Sequence, residues 1–427
     1  MSKKKVFCKQ LGDWFAVSDW HYSTLLTVLI DVTIELPSDA NALVDELLYS
    51  FDEKPNTNTI IKYLESSNRL SDWFGSQAAP RVSSVCLVEN QFPLLTNPAL
   101  PLLNTENDLA QWLGVSSAEL DWLAALYRDD EHAQAACRHY HYNVVKKRNG
   151  SPRLIESPKK ILREIQRRIL REILENVPIH DAAHGFRKTR GCKTHGALHC
   201  GKKWLFTFDL SNYFHSIRWP SVHAIFIGLG YPPPVSRLLT ALTTHRCTMT
   251  EAVITGLPLS QKRLLRERHL PQGAPSSPAL SNAVLYYFDR RLSGLADSLD
   301  LVYSRYGDDL AFSGNVDRDW RFFQPLIGSI SLEEGLLLNY RKTRIMKAHQ
   351  KQRLTGIVVN VKPNVDRKYY DKLKATLTNC SKYGVEMQNR DNHPDFCAYL
   401  KGSIAHVKHL NSKKGEALEV IYKDIVW

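Results

Sequence analysis

The spacing of apolar positions along the chain changes between a strand-like period and a helix-like period. Residues 140–158 alternate around a Gly-Ser-Pro turn, which predicts a basic β-hairpin. Residues 159–177 instead follow the 3.6-residue repeat of an amphipathic helix. This helix is predicted to carry Arg and Lys on one face and, on the apolar face, Ile161, Ile165, Ile169 and Ile173.

Three further apolar runs predict strands, and two of them lead to acidic residues. The run "WLFTFD" is predicted to end at Asp209, and "LVYSRYG" is followed at once by Asp308 and Asp309. The third run, "TGIVVNV", covers residues 355–361. A helix opened by proline is predicted over residues 278–296. The chain therefore mixes strands and helices.

The first part of the chain has a different character. Residues 1–103 contain apolar clusters and end in a Pro-rich stretch typical of a linker, and no catalytic motif occurs in them. Residues 104–128 predict two helices around Gly114, the second opened by a capping box of Ser116 and Glu119. A helix-turn-helix that reads DNA is an alternative for this segment, but its acidity favours a packing helical hairpin.

Composition limits the possible classes of protein. The chain has 427 residues, 43% of them hydrophobic and 23% charged, enough for two or three domains. No apolar run is long enough to span a bilayer, so no membrane partner is expected. The eight cysteines form no C-x-x-C pair and no export signal is evident, which predicts reduced thiols in a cytoplasmic protein.

Charge is distributed unevenly. Residues 1–130 carry 9 Lys/Arg and 18 Asp/Glu, whereas the remaining 297 residues carry 47 and 26. A basic segment of this size suits a polyphosphate backbone, although a solvated lysine-rich surface has the same composition. The charge split indicates different partners for the two parts.

The adjacent acids Asp308 and Asp309 repel each other, and their place after an apolar strand needs an explanation. If their strand neighbours the strand of Asp209, three carboxylates converge at one edge of a sheet. Hard cations make such a cluster tolerable, and oxygen ligands favour Mg²⁺. Two such ions support nucleotidyl transfer. For each acid taken alone, a turn residue or a helix cap is the better interpretation, and the adjacent pair after an apolar strand is what favours a metal site.

Phe214 narrows the chemistry further. It lies five residues after Asp209, where its ring would stack beneath a bound sugar and clash with a 2′-hydroxyl. The residue type therefore favours deoxynucleotides. An RNA-templated RNA polymerase usually has a second Asp at this spacing, and this chain does not.

Three ordered motifs carry a resemblance to a known family. "FTFDLSNYFHSI", "LPQGAPSSPALSN" and "YSRYGDDLAFSG" resemble the central motifs of reverse transcriptases, and the surrounding sequence is most similar to the bacterial retron enzymes. "GSPRLIESPKKILREIQRRIL" and "AHGFRKTRG" match the fingers motifs of the family. "LNYRKTRIMKAHQKQRLTGIVVN" and "FCAYLKGSIAHVKHLN" match its late palm and thumb.

The resemblance implies an α+β right-hand polymerase with fingers, palm and thumb and an additional N-terminal domain. The expected segments are 1–103 as a possible partner-binding extension, 104–204 as helical hairpin and fingers, 205–362 as palm and 363–427 as basic thumb.

The resemblance also implies roles for individual residues. The expected ligands of two Mg²⁺ ions are Asp209, Asp308 and Asp309, helped by the carbonyl of Leu210, with Lys342 as candidate proton donor to pyrophosphate. The expected nucleotide contacts are Lys147 (or Lys146), Arg153, Phe214, Gln272 and Gly273. The expected RNA contacts are His199, Thr355 and Gly356.

The chain departs from the retron pattern at several positions. His195 replaces the Asn of an Asn-Ala-x-x-His element, Leu354 replaces the Val of Val-Thr-Gly, and Gly307 stands where Ala is more common. "EAVITGLPLSQKRLLRER" is an insertion before "HLPQG".

Two other motifs are weaker than they look. "GALHCGKK" resembles a P-loop, but Lys203 replaces the hydroxyl residue that would hold Mg²⁺. A zinc site is conceivable, although its spacing fits no standard finger, at Cys192, His195, His199 and Cys200.

The family implies RNA-templated DNA synthesis from dNTPs on a partner non-coding RNA that serves as template and primer. Synthesis would begin at an RNA 2′-hydroxyl and give a branched RNA–DNA product, within an anti-phage system that includes an effector protein. Two alternatives remain at this point: another defence-associated bacterial reverse transcriptase with a different product, and a non-catalytic, maturase-like RNA-binding protein.

Overall fold

The computed structural model describes residues 3–17, 20–34, 37, 39–51, 53–75, 80–82, 100–124, 138–146, 150, 152–247, 256–317 and 319–427. The described residues form two compact units. The first unit is drawn from 1–178, 212–285 and 331–336, and the second from 179–211, 286–330 and 337–427. No helix in these described ranges is long and apolar enough to cross a membrane.

The N-terminal part of the first unit has a hydrophobic core of its own. Buried side chains between Phe7 and Trp73 form one cluster. The helices that enclose it are α1 (Lys3–Val17), α2 (Tyr22–Val32), α3 (Ala40–Ser50), α4 (Thr57–Ser66) and α5 (Asn68–Gly75), with a short pair of strands, β1 (Thr33–Ile34) and β2 (Arg81–Val82).

The predicted helical hairpin after residue 104 is confirmed. Helix α6 (Glu106–Leu113) ends at Gly114 in the left-handed conformation with φ of 73°, and α7 (Ser117–Ala124) follows. The predicted capping box is present, because the Ser116 amide donates to Glu119 and the Glu119 amide donates to the Ser116 hydroxyl. Apolar faces of both helices join the main core of the first unit.

The amphipathic helix α8 (Lys160–Glu172) is present, but one predicted core residue is wrong. Ile165, Ile169 and Ile173 are buried, whereas Ile161 is 57% exposed and Leu162 is buried in its place. In an α-helix a step of four residues advances the side chain by about 40° beyond a full turn. Residues spaced by four therefore drift across the helix, and Ile161 lies at the solvent edge.

The rest of the first unit comprises a hairpin and further helices. The predicted hairpin is confirmed as β3 (Tyr140–Lys146) paired with β4 (Pro152–Pro158). The remaining helices are α10 (Tyr213–Ser216), α11 (Trp219–Gly228), α12 (Pro233–Thr243), α13 (Leu259–Leu265) and α14 (Ser277–Val284), while α9 (Cys192–Ala197) belongs to the second unit.

A five-stranded antiparallel sheet is the centre of the second unit. The central strand β5 (Trp204–Ser211) pairs on one side with β7 (Asp309–Gly314), which pairs with β6 (Val302–Tyr306). On its other side β5 pairs first with β9 (Arg344–Lys347) and then with β8 (Leu337–Leu338). Phe206, Phe208, Phe312 and Phe323 pack together on this sheet.

The second unit continues into a small hairpin and C-terminal helices. Only two residues of the third predicted strand are paired, as β11 (Ile357–Val358) with β10 (Arg353–Leu354). The predicted helix over 278–296 is broken at Leu285 into α14 and α15 (Tyr286–Ser298). The remaining helices are α16 (Phe323–Glu333), α17 (Arg367–Tyr383), α18 (Phe396–Leu410) and α19 (Ser412–Lys423).

Candidate active site

Asp209 and Asp309 lie directly opposite each other on neighbouring strands. They are register partners in the antiparallel pair β5–β7, so both side chains point to the same face of the sheet. The amide of Leu210 donates to the carbonyl of Asp308 at 2.9 Å. The predicted adjacency of these strands is confirmed, although the strand of Asp209 continues to Ser211 instead of ending at the acid.

A two-residue turn, Gly307–Asp308, joins β6 to β7, because Tyr306 pairs with Asp309. Gly307 has a φ of 63°, and a type II′ hairpin turn places glycine at this first central position. A Cβ at 307 would approach the ring of Phe186 to 3.2 Å. The ring thus limits the space beside the turn for any residue larger than glycine at position 307.

The segment "AHGF" extends the sheet at the outer edge of β6. His184 N donates to Arg305 O at 2.7 Å, and Arg305 N donates to Ala182 O at the same distance. Gly185 then passes close to the turn, since a Cβ there would lie 2.6 Å from the Gly307 nitrogen. This fingers motif therefore supports the turn that carries Asp308.

The surroundings of Asp309 oppose its ionised form. Burial, and then the charges of Asp308 and Asp209, raise the pKa of Asp309 to about 7. Lys342 opposes this shift, and its Nζ lies 2.7 Å from Asp209 Oδ2. The Asn339 amide holds the lysine turn in place by donating to the Asp209 carbonyl at 2.7 Å. Oxygen ligands whose charges repel one another in a half-buried site fit a hard divalent cation.

An open cavity of about 350 Å³ lies beside Asp209 and Asp309. Its other walls are basic side chains and the β10–β11 turn, namely Lys342, Arg344, Arg353, Thr355 and Gly356. Thr355 and Gly356 both have positive φ, 45° and 84°, as a two-residue type I′ turn requires. The predicted residues Lys342, Thr355 and Gly356 therefore share one cavity with two of the acids.

The predicted nucleotide contacts belong to the first unit. Arg153 is exposed on β4, and Phe214 is partly buried on α10. Gly273 has a φ of 134°, and a Cβ there would lie 2.9 Å from the Glu156 carbonyl oxygen, so glycine lets the loop lie against β4. Lys147 lies outside the described residues.

His199 does not fit the RNA contact predicted for it. Its ring is fully buried, with Nδ1 2.7 Å from Ser313 Oγ and Nε2 2.6 Å from Ser304 Oγ. Burial, with smaller contributions from nearby positive charge, lowers its pKa to about 3, so the ring is neutral. The ring links the segment after α9 to β6 and β7 and presents no atom to RNA.

The possible zinc ligands near His199 do not converge. Cys200 Sγ donates to the Gly196 carbonyl at 3.2 Å. In the part of the chain that the structure describes, only Glu156, His215 and His269 bring three ligand atoms within 4.8 Å of one another. The geometry therefore argues against a zinc site at these residues, as their non-standard spacing in the sequence already did.

Sequence reasoning missed a buried ion pair behind the acidic turn. Arg305 and Asp289 are both fully buried, and the Arg305 Nη1 donates to the carbonyl of Gly307 at 3.2 Å. A lone arginine in an apolar strand and a lone aspartate on the apolar face of a helix were the available signals. Either could have suggested a buried partner.

A second missed group is the buried cluster of Glu156, His215 and His269. Glu156 lies in phase with Leu154 and Pro158 on the buried face of β4. The sequence did offer one signal, an acidic residue at a position of the alternating strand pattern that is normally apolar and buried. Nothing in the sequence identified its two histidine partners, which follow about 60 and 110 residues later.

Comparison with known proteins agrees with this geometry. A family model described as reverse transcriptase (RNA-dependent DNA polymerase) matches residues 145–359. The chain is 35% identical over 327 residues to the retron Mx65 reverse transcriptase of Myxococcus xanthus, covering 76% of this chain and 72% of that protein. It is 30% identical over 286 residues to the retron Ec86 reverse transcriptase of Escherichia coli, covering 66% and 80%. The residues matched by the family model include the three clustered aspartates.

Proposed function

The chain belongs to the bacterial retron-type reverse transcriptases and is an RNA-directed DNA polymerase, and we propose that it copies a cognate non-coding RNA into DNA within an anti-phage defence system. The observation that carries the catalytic part is the register pair Asp209–Asp309 with Asp308 in the adjoining turn. A protein that only binds RNA has no use for three converging carboxylates facing a polyanion.

In this proposal Asp209, Asp308 and Asp309 hold two Mg²⁺ ions, with the carbonyl of Leu210 assisting. When bound, such ions lower the barrier to attack by the primer hydroxyl and stabilise the leaving pyrophosphate. Lys342, whose Nζ lies 2.7 Å from Asp209 Oδ2, is the proton donor to pyrophosphate in this proposal.

Residues of the first unit select the nucleotide in this proposal. Arg153 and Lys147 bind the triphosphate, Gln272 and Gly273 contact the incoming nucleotide, and the ring of Phe214 excludes a ribose 2′-hydroxyl. Arginine suits this role because its guanidinium matches phosphate geometry.

RNA serves as both template and primer, and synthesis starts from an RNA 2′-hydroxyl. The positive-φ turn Thr355–Gly356 and the basic side chains of Arg344 and Arg353 support an RNA contact at the rim of the cavity. Basic residues there would bind phosphates whatever the RNA sequence, whereas the turn backbone would fix the position of the primer.

One experiment tests the polymerase and the priming together. Purified protein with its co-purifying RNA is incubated with dNTPs and Mg²⁺, and the product is sequenced before and after treatment with a 2′,5′-debranching enzyme. We expect DNA that shifts in size on debranching, and none from Asp308→Ala. Unbranched DNA would support another defence-associated reverse transcriptase, and absence of synthesis with both proteins would support an RNA-binding role.

The N-terminal helices are the proposed contact for the effector protein. They have a separate core, and the acidic charge balance of this region contrasts with the basic remainder. Asp45 and Tyr49 lie one turn apart on the exposed face of α3. The variant Asp45→Lys/Tyr49→Ala should lose a co-purifying protein and phage protection while it retains DNA synthesis, and unchanged protection would contradict this assignment.

A further inference from the structure

Glu156, His215 and His269 form a buried cluster centred on one carboxylate oxygen. Glu156 Oε2 lies 3.0 Å from His269 Nε2 and 3.3 Å from His215 Nε2. All three side chains are almost fully buried and belong to the first unit. Two imidazole nitrogens therefore face the same acceptor.

The hydrogen bonds fix the charge of His269. Its Nδ1 lies 2.7 Å from the Glu267 carbonyl oxygen, which only accepts, so Nδ1 carries a proton. Nε2 faces a carboxylate oxygen and must carry a proton as well, so His269 is an imidazolium. Burial alone would lower the pKa of His269, but Glu156 outweighs burial and raises it.

The cluster lies directly against two segments proposed to contact the nucleotide. The Glu156 amide donates to the Gln272 carbonyl at 2.8 Å, and His269 lies three residues before Gln272. His215 follows Phe214 in the short helix α10. The Leu270 amide also donates to the Ile217 carbonyl at 2.9 Å, which joins the two segments.

We infer that Glu156, His215 and His269 are positioning residues that fix Phe214 relative to the Gln272–Gly273 loop and thereby set the preference for deoxynucleotides. The inference rests on the nucleotide contacts proposed above. The helix α10 has only four residues, so its own hydrogen bonds hold Phe214 weakly, and the contact of the next residue, His215, with the buried Glu156 carboxylate compensates.

An ion pair explains the cluster better than a bound metal ion. His269 Nε2 lies within hydrogen-bond distance of Glu156 Oε2 at 3.0 Å, and His215 Nε2 makes a longer ionic contact with the same oxygen at 3.3 Å. One carboxylate neutralises one imidazolium, whereas a divalent cation would leave a net positive charge in a site without solvent.

The test compares isosteric variants in the full-length protein. Glu156→Gln keeps an acceptor oxygen in front of both imidazole nitrogens but removes the negative charge, and His269→Gln removes the positive charge. His139→Gln is the matched control, since His139 is a buried histidine whose Nε2 lies 2.7 Å from the Trp122 carbonyl oxygen. Phe214→Val reports on the nucleotide role itself. Each protein is assayed for dNTP and rNTP incorporation, melting temperature and metal content.

We expect Glu156→Gln and His269→Gln to raise the KM for dNTPs and lower the dNTP-over-rNTP preference by roughly tenfold each, with kcat changed by less than about threefold. His139→Gln should lower the melting temperature but leave the preference unchanged. If Glu156→Gln does not fold, His215→Gln removes only the longer contact and is assayed in its place.

Three results would overturn the inference. In the first, Glu156→Gln and His269→Gln keep the wild-type dNTP-over-rNTP preference although Phe214→Val changes it. In the second, His139→Gln loses as much of this preference as the two cluster variants do. The third is stoichiometric zinc whose removal abolishes the preference. A wild-type preference in Phe214→Val would instead refute the proposed role of Phe214, and the inference about selection would fall with it.

Discussion

Arg305 and Asp289 form a fully buried, two-point ion pair behind the Gly307–Asp308 turn: Nη2 lies 2.6 Å from Oδ2 and Nε 2.8 Å from Oδ1. Tyr303 adds a hydroxyl donor to the same carboxylate at 2.8 Å. The strand β6 is thereby tied to helix α15, and the spare guanidinium nitrogen reaches the Gly307 carbonyl.

Asp289→Asn should destabilise the protein by about 3–5 kcal/mol, because it leaves a buried guanidinium without a counter-charge. Polymerase kcat should fall as well, since the support of Gly307 depends on the same guanidinium. Thermal unfolding and primer extension measure the two effects. Arg321 makes an equally two-pointed contact with Asp319 at the surface, so Asp319→Asn is the control and should leave the melting temperature unchanged. An equal loss in both variants would refute the argument.

The stability of the metal-free enzyme should depend on Asp309. The pKa of this carboxyl is about 7 in the folded protein and lower in the unfolded chain. The folded state therefore binds the Asp309 proton more tightly than the unfolded chain does. The free energy of unfolding falls as the pH rises from the lower pKa of the unfolded chain to the folded pKa of about 7. In EDTA, Asp309→Asn should raise stability at pH 8 by roughly 2 kcal/mol while abolishing synthesis.

Bound Mg²⁺ should offset the repulsion that Asp309 experiences from Asp308 and Asp209 when it is ionised. Mg²⁺ should therefore raise the melting temperature more at pH 8, where Asp309 is ionised, than at pH 5.5. Differential scanning fluorimetry with and without Mg²⁺ at both pH values measures this. Asp317→Asn is the control, because Asp317 is an exposed acid paired with Lys203 on the same unit. A Mg²⁺ effect that persists undiminished in Asp309→Asn would place the ion elsewhere.

Lys342→Gln should lower kcat by about 100-fold, the usual contribution of a general acid, with little change in the KM for dNTPs. Pre-steady-state incorporation of a single dNTP measures the effect. Lys351 pairs with Asp366 at 2.6 Å in the same way, so Lys351→Gln is the matched control and should retain kcat. Equal losses would indicate a general phosphate contact.

Phe214→Val should admit ribonucleotides, increasing the relative kcat/KM for rNTPs by roughly 10- to 100-fold, since the ring no longer occupies the space of the 2′-hydroxyl. Competing incorporation of dCTP and CTP measures the ratio. Phe322→Val removes an exposed phenylalanine of the second unit and should leave the ratio unchanged.

His199→Gln should destabilise the protein by about 1–3 kcal/mol without changing RNA affinity, because both ring nitrogens bond to buried serines. Chemical denaturation and an RNA-binding titration separate the two effects. Weaker RNA binding by a fully folded variant would restore the original interpretation of His199 as an RNA contact.

Local pattern was sufficient for the acids but not for what surrounds them. The strands before Asp209 and Asp308 were evident from their apolar runs, whereas their adjacency was an assumption on which the predicted magnesium site depended and which the β5–β7 pairing confirms. The partners of Glu156 could not be predicted, because β4, α10 and the loop before α14 meet only through tertiary folding. Ile161 was wrongly predicted to be buried because residues spaced by four were assumed to stay on one face. Each step of four turns the side chain by about 40° beyond a full turn, so Ile161 lies outside the buried face.

The close approach of Phe186 to Gly307 has a consequence for chimeric enzymes. Exchanging the β6–β7 hairpin for one with alanine at the turn would add a methyl group at 3.2 Å from that aromatic ring. A donor hairpin of this kind would displace the half-exposed Phe186 ring unless it were transplanted together with its own counterpart of residue 186. Recombination between homologues should therefore succeed more often with breakpoints that keep residues 182–186 and 302–314 from one parent.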